Sequence, residues 1–175
     1  KEVTDKSYLA LYFYKDNEKP GLVMRNSVIV NPQIVIPAGE ARHEETAYID
    51  VPKEMLLYSA FPHAHYRGYA SDFWVIYPDG TKKQLLAMPR YDFNWQREYP
   101  FAEPIKIPAG SKLIAHYWYD NSPQNPANPD PKKTVVWGDQ SWEEMFYTAI
   151  RYRWTEETSS KLTDNDRLMD RTRRS

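Results

Sequence analysis

No apolar stretch of this chain runs far before a turn signal interrupts it, and that limits it to short strands. Ile34-Val35-Ile36 is closed by Pro37-Ala38-Gly39, Phe73 to Tyr77 by Pro78-Asp79-Gly80, and Ile105-Lys106-Ile107 by Pro108-Ala109-Gly110. Each signal joins Pro, which presets φ, to Gly, which accepts positive φ. The remaining candidates are Tyr8 to Tyr14, Asn26 to Asn31, Thr46 to Val51, Leu56 to Ala60, Lys83 to Ala87, Lys112 to Tyr119, Thr134 to Trp137 and Phe146 to Trp154. The 14 Tyr and 6 Trp suit pleated strands, and the 14 Pro suit the turns between them. Roughly ten short strands with turns every 8–12 residues predict an all-β, jelly-roll β-sandwich of mainly antiparallel strands.

Two segments stand outside the pattern. Asn121 to Lys133 (NSPQNPANPDPKK) has too many Pro and Asn for a ladder, and is expected to be a long, mobile loop. From Thr155 the apolar pattern gives way to charge, so residues 1–154 are expected to form the sandwich and 155–175 a charged linker or weak surface helix. With 175 residues the chain can bury a substantial single core. It begins at Lys1 without a signal-like stretch, and the expectation is a piece of a longer protein.

Composition removes several function classes. The 23 basic and 24 acidic residues leave a net charge of -1, which argues against nucleic acid as a partner. There is no Cys, hence no disulfide framework, thiolate site or cysteine nucleophile. No apolar run reaches the roughly 20 residues of a membrane span.

Only four His are present, and two of them form His63-Ala64-His65. On a strand, i and i+2 share a face about 6.5 Å apart, so both imidazoles can converge on one ion. Taken alone the pair is a weak signal, since most such pairs are ordinary surface or core histidines. Pro62 before it and Arg67-Gly68 after it shape the approach, and Gly68 can bend the chain away. Met145 opens the last apolar strand, where it fits a core gap-filler as well as a soft ligand.

These features resemble the C-terminal domain of the copper type II ascorbate-dependent monooxygenases, whose members include dopamine β-hydroxylase and the peptidylglycine amidating monooxygenase. The resemblance rests on His63-Ala64-His65-Tyr66-Arg67-Gly68 and Glu144-Met145, and on the order of the signals between them. Those signals are Asp79-Gly80, the Tyr91 to Tyr99 stretch with Gln96, Pro108-Ala109-Gly110, Tyr119-Asp120-Asn121 and Trp137-Gly138. It spans roughly residues 8 to 154. The resemblance implies one copper ion per chain, held by His63, His65 and Met145, at which oxygen is activated for C–H hydroxylation. Two imidazoles and one thioether suit Cu(I) better than zinc. Tyr91, Gln96 and Tyr117 are candidates for the pocket wall. The resemblance also implies an electron donor or second copper domain in the parent protein, a small-molecule substrate, and a periplasmic or secreted setting.

The chain departs from the family in two ways. The peptide-amidating branch has an Arg two residues before the first His and a Tyr four residues after the Met; here these are Phe61 and Ala149. A peptide carboxylate would lack its anchors, so peptide amidation is not expected. The absence of Cys points to a bacterial-type relative. Two other readings stay open. A cupin-like site would use His63, His65 and a later His116, although Tyr69 and Ala70 stand where its Glu belongs. A non-catalytic module would bind copper, or a sugar or protein through its aromatic residues. Asp92, Glu98 and Glu103 lie near an aromatic stretch, but nothing pairs two of them for hydrolysis, and the arginines of the tail read as a solvated surface.

Overall fold

The computed structural model describes residues 4–18, 20–158, 168 and 172–174. In chain order the strands are β1 (Arg25–Val30), β2 (Val35–Ile36), β3 (His43–Asp50), β4 (Met55–His63), β5 (Gly68–Ile76) and β6 (Lys82–Met88). They continue as β7 (Tyr99–Ile107), β8 (Lys112–Tyr119), β9 (Val135–Val136), β10 (Tyr147–Trp154) and β11 (Thr172–Arg174). Every named strand pairing is antiparallel. One sheet has the order β1-β10-β4-β7 and the other β11-β3-β8-β5-β6, while β2 and β9 form a short ribbon. The two main sheets enclose one core, so the protein is an all-β sandwich.

Alternation along the strands builds that core. On β8, Leu113, Ala115, Tyr117 and Tyr119 are buried while Lys112, Ile114, His116 and Trp118 face outward. They meet Ile150, Tyr152 and Trp154 of β10 and Met55, Leu57 and Ala60 of β4. The turn glycines Gly39, Gly80 and Gly110 have φ of 75°, 84° and 82°, the left-handed region their turns require.

The parity of β4 changes at a bulge, where its pairing with β10 slips by one residue between Leu57 and Ser59. One extra residue there moves the following side chains to the opposite face. Phe61 and His63 therefore lie across from Ala149 and Tyr147 on the outer side of the first sheet, while Ser59, Ala60 and Pro62 are buried.

Three segments differ from the sequence reading. Tyr8 to Tyr14 is not a strand: Tyr8, Tyr12 and Phe13 are 90%, 95% and 86% exposed, and no described strand pairs with the segment. Strand propensity without a neighbouring edge does not make a ladder. Strand β7 begins six residues before the expected Ile105, despite Pro100 and Pro104. It is an edge strand, where a missing N–H need leave no partner unsatisfied. Residues 121–133 do form a loop, but side-chain hydrogen bonds stitch it down. Asn121 Nδ2 donates to the carbonyls of Pro37 (2.8 Å) and Lys133 (3.0 Å), and Asn125 Nδ2 to that of Asp120 (2.8 Å).

Much of 155–175 lies outside the described residues. Its described parts contact the sandwich: Glu157 pairs with Arg25 at 2.5 Å, and β11 lies along the edge of β3.

Candidate metal centre

His63 ends β4, and His65 lies just beyond it, before the turn in which Gly68 N–H donates to His65 O (3.2 Å). The two rings come together, with centroids 5.1 Å apart and planes at 87°. Three aromatic rings surround them. Phe61 stacks on His63 (6.4 Å), Tyr147 meets His63 edge-on (5.8 Å) and Phe93 meets His65 edge-on (6.2 Å).

The backbone beneath the pair is clamped by buried hydroxyls. Tyr117 Oη accepts from His63 N–H (3.0 Å) and donates to Tyr147 O (2.6 Å). Tyr91 Oη accepts from Ala64 N–H (2.9 Å) and donates to Ala64 O (2.7 Å). Burial pushes both phenols well up, so they stay protonated and keep donating. Gly68 completes the packing, because a Cβ there would stand 2.5 Å from that of Ala64.

Gln96 sets the His63 tautomer. Its Nε2 donates to Phe93 O (2.9 Å), so its Oε1 faces His63 Nδ1 and accepts a hydrogen bond from its N–H. That leaves the lone pair of Nε2 free. Among the described residues, His65 Nδ1 is buried without a hydrogen-bond partner. Burial lowers the pKa of both rings. At His65 it is reinforced by His63 and countered by backbone groups of Glu143 and Gln140. Both imidazoles are therefore neutral at neutral pH, as metal ligation requires.

Met145 reaches this place through its neighbour. Glu144 is fully buried, and its Oε2 accepts from His65 N–H (2.5 Å) and from Met145 N–H (2.9 Å). Both bonds end on one atom, so the two backbone nitrogens are no farther apart than those bonds laid end to end. Glu144 Oε1 takes Arg67 N–H (2.8 Å). Tyr147 pairs with His63 where the ladder between β10 and β4 ends, two residues short of Met145 and His65. Burial pushes the Glu144 carboxyl up to about 7, against the three N–H donors and the nearby Arg67. Arg67 is itself buried, held by Asn121 Oδ1 (2.8 Å) and Trp142 O (2.9 Å).

The structure thus gathers His63, His65, Gln96, Tyr91, Tyr117 and the Met145 backbone into one region. Tyr91 and Tyr117 stand behind the His pair as supports, and Gln96 touches it directly. Glu144 has a role the sequence reading left unassigned; its signal is a carboxylate set against Met145 and Phe146, where only a buried partner could justify it. His116 lies elsewhere. It is on the outer face of the other sheet, bonded to Asp72 (2.6 Å), and cannot complete a cupin-like set. Among the described residues no three His, Cys, Asp or Glu side chains cluster, so any third protein ligand at the His pair must be of another type. Beside His63, Phe61 and Ala149 line a cavity of about 190 Å³, with Ser59 and the Glu98–Arg151 ion pair (3.2 Å) at its far end.

Comparison with known proteins bears on this arrangement. No curated protein matches the chain. Among solved structures, the VP2 subviral particle of infectious bursal disease virus aligns with TM-score 0.34 and 12% identity, over 82% of this chain and 36% of that one. The Gx strain of the same virus gives 0.33 and 13% over 85% and 42%, and the Gt strain 0.31 and 10% over 95% and 50%. The chain thus spans half or less of those chains, and likeness at this level carries no argument. The family model for the copper type II ascorbate-dependent monooxygenase, C-terminal domain, matches residues 20–165, a span that holds the His pair, Gln96 and Glu144-Met145. This chain belongs to that family.

Proposed function

We propose that the domain holds one copper ion through His63, His65 and Met145 and serves as the oxygen-activating half of a copper-dependent monooxygenase within a larger protein. One observation carries the reading: two neutral imidazoles, one with an unpartnered buried nitrogen, are tied by a single carboxylate to the backbone of a methionine. When bound, copper would supply the one-electron chemistry needed to activate oxygen toward a C–H bond.

The chain's own residues do the rest. Gln96 keeps the proton of His63 on Nδ1, which would leave Nε2 as the atom that holds the ion. Tyr117 and Tyr91 hold the backbone at 63 and 64, and Glu144 holds it at 65 and 145. Phe61, Phe93 and Tyr147 limit the access of water. The cavity beside Phe61 and Ala149 is the proposed approach for a small-molecule substrate. Its single Arg is already paired with Glu98, which disfavours a peptide carboxylate there. Electrons would come from a donor or a second copper domain. The proposed setting is the periplasm or cell exterior.

The test is a Cu(I) competition titration against a chromophoric chelator, with oxygen uptake followed in ascorbate. Wild type should take one Cu(I) per chain, and His63→Ala and Met145→Leu should each weaken it tenfold or more. Failure to bind Cu(I) refutes the proposal. Binding without oxygen uptake above the metal-free control would reduce the domain to a passive copper-binding module.

A further inference from the structure

On the outer face of the second sheet, across the sandwich from His63, two cavities adjoin and share Glu44 and Trp118. The larger, about 740 Å³, sets Arg42, Glu44, Asp120 and Gln124 around Tyr69 and Trp118. The smaller, about 310 Å³, lies between Trp74 and Trp118 over Ile114 and the Asp72–His116 pair. Register explains the assembly. Asp72 pairs with His116 and Trp74 with Ile114 across β5 and β8, and Glu44 pairs with Trp118 across β3 and β8. All of them face outward because the residues alternating with them fill the core.

The floor is held in place before any ligand arrives. Asp72 Oδ1 accepts from His116 Nδ1 (2.6 Å), which fixes the ring, and His116 stacks on Trp118 at 6.1 Å and 29°. At the rim, Asp120 Oδ1 accepts from Ser122 N–H (2.9 Å).

We infer that this double cavity binds a neutral oligosaccharide. Cavities of this size belong to the range of small-ligand sites, about 300–1,000 Å³. The aromatic faces match the apolar C–H faces of sugar rings, and the mixed donors and acceptors match their hydroxyls. Arg42 and Lys82 stand against Glu44, Asp72 and Asp120, so neither sign prevails to select a charged ligand. A purely apolar ligand would desolvate Arg42, Glu44 and Asp120 without repaying them. Trp118 lies four residues along β8 from Ile114, the partner of Trp74, so the two backbone positions are separated by about 13 Å along the sheet. Only a ligand longer than one sugar ring engages both. Among the described residues no hydrogen bond or ring contact joins these side chains to His63 or His65, so the inference stands independently of the copper reading.

The experiment titrates the whole chain with cellohexaose, xylohexaose, chitohexaose and maltohexaose, read by tryptophan fluorescence and by affinity electrophoresis. At least one should bind saturably, and its monosaccharide at least tenfold more weakly. Trp118→Ala and the exposed-rim variant Arg42→Ala should each weaken binding tenfold or more with an unchanged circular dichroism spectrum, whereas Tyr12→Ala, at a side chain 95% exposed and outside both cavities, should leave it as in wild type. No saturable binding to any of the four overturns the inference. So does binding that both variants leave intact, or self-association through Trp118 in place of sugar binding.

Discussion

Replacing Tyr117 by Phe removes one oxygen atom and nothing else, yet that atom serves three partners. It accepts from His63 N–H (3.0 Å), donates to Tyr147 O (2.6 Å) and shares a bond with Thr148 Oγ1 (2.8 Å). Tyr117 is 1% exposed, so water cannot take its place. The Thr148 hydroxyl can turn toward Tyr147 O and recover one bond, but His63 N–H keeps no acceptor. An unsatisfied buried donor costs about 1–3 kcal/mol, and a lost neutral bond about 1 kcal/mol more. Together these predict a loss of about 2–4 kcal/mol, or roughly 10 °C in Tm for a domain of this size. The same change frees the backbone beneath one proposed ligand, so Cu(I) affinity should fall on the order of tenfold. Urea unfolding followed by tryptophan fluorescence measures the first effect, and chelator competition the second. Tyr8→Phe, at a hydroxyl on a side chain 90% exposed, is the control and should shift stability by less than about 0.5 kcal/mol. If Tyr117→Phe is equally silent, the clamp described here does not exist.

Three further outcomes are expected. Glu144→Gln leaves one acceptor oxygen where two served His65, Met145 and Arg67, so at pH 8 it should destabilise by about 2 kcal/mol and weaken Cu(I) binding; unchanged urea midpoint and affinity would contradict this. Burial lowers the folded-state pKa of His63 and His65 below the unfolded 6.5, so the unfolded chain binds more protons. Their contribution is therefore present above pH 6.5 and lost as pH falls below it, whereas the raised Glu144 carboxyl acts in the opposite sense. From pH 7.5 to 5.5 the urea midpoint of the metal-free protein should change less favourably in wild type than in His65→Gln, and equal changes would rule this out. Gly68→Ala drives a methyl to within 2.5 Å of the Ala64 Cβ and should cost about 1–3 kcal/mol; Ala64→Gly in the same chain should recover most of it, by thermal melting.

Local order in the sequence determined a good deal here. Alternation and Pro-Gly turns located nearly every strand, and Pro-Ala-Gly and Pro-Asp-Gly marked the three positive-φ glycines, because both signals act within a few residues. The His-x-His and Glu-Met motifs pointed to the family on the same local basis. What holds those motifs together was decided only in three dimensions. Glu144 bonds to backbone 79 and 77 residues away, and Tyr117 to backbone 54 residues away. A buried carboxylate or phenol finds such partners only once the sheets have stacked. The same holds for Tyr8 to Tyr14, whose pattern promised a strand that found no edge, and for the bulge in β4 that turns His63 outward. Periodicity records what a segment prefers; pairing and burial depend on which neighbour is there to meet it.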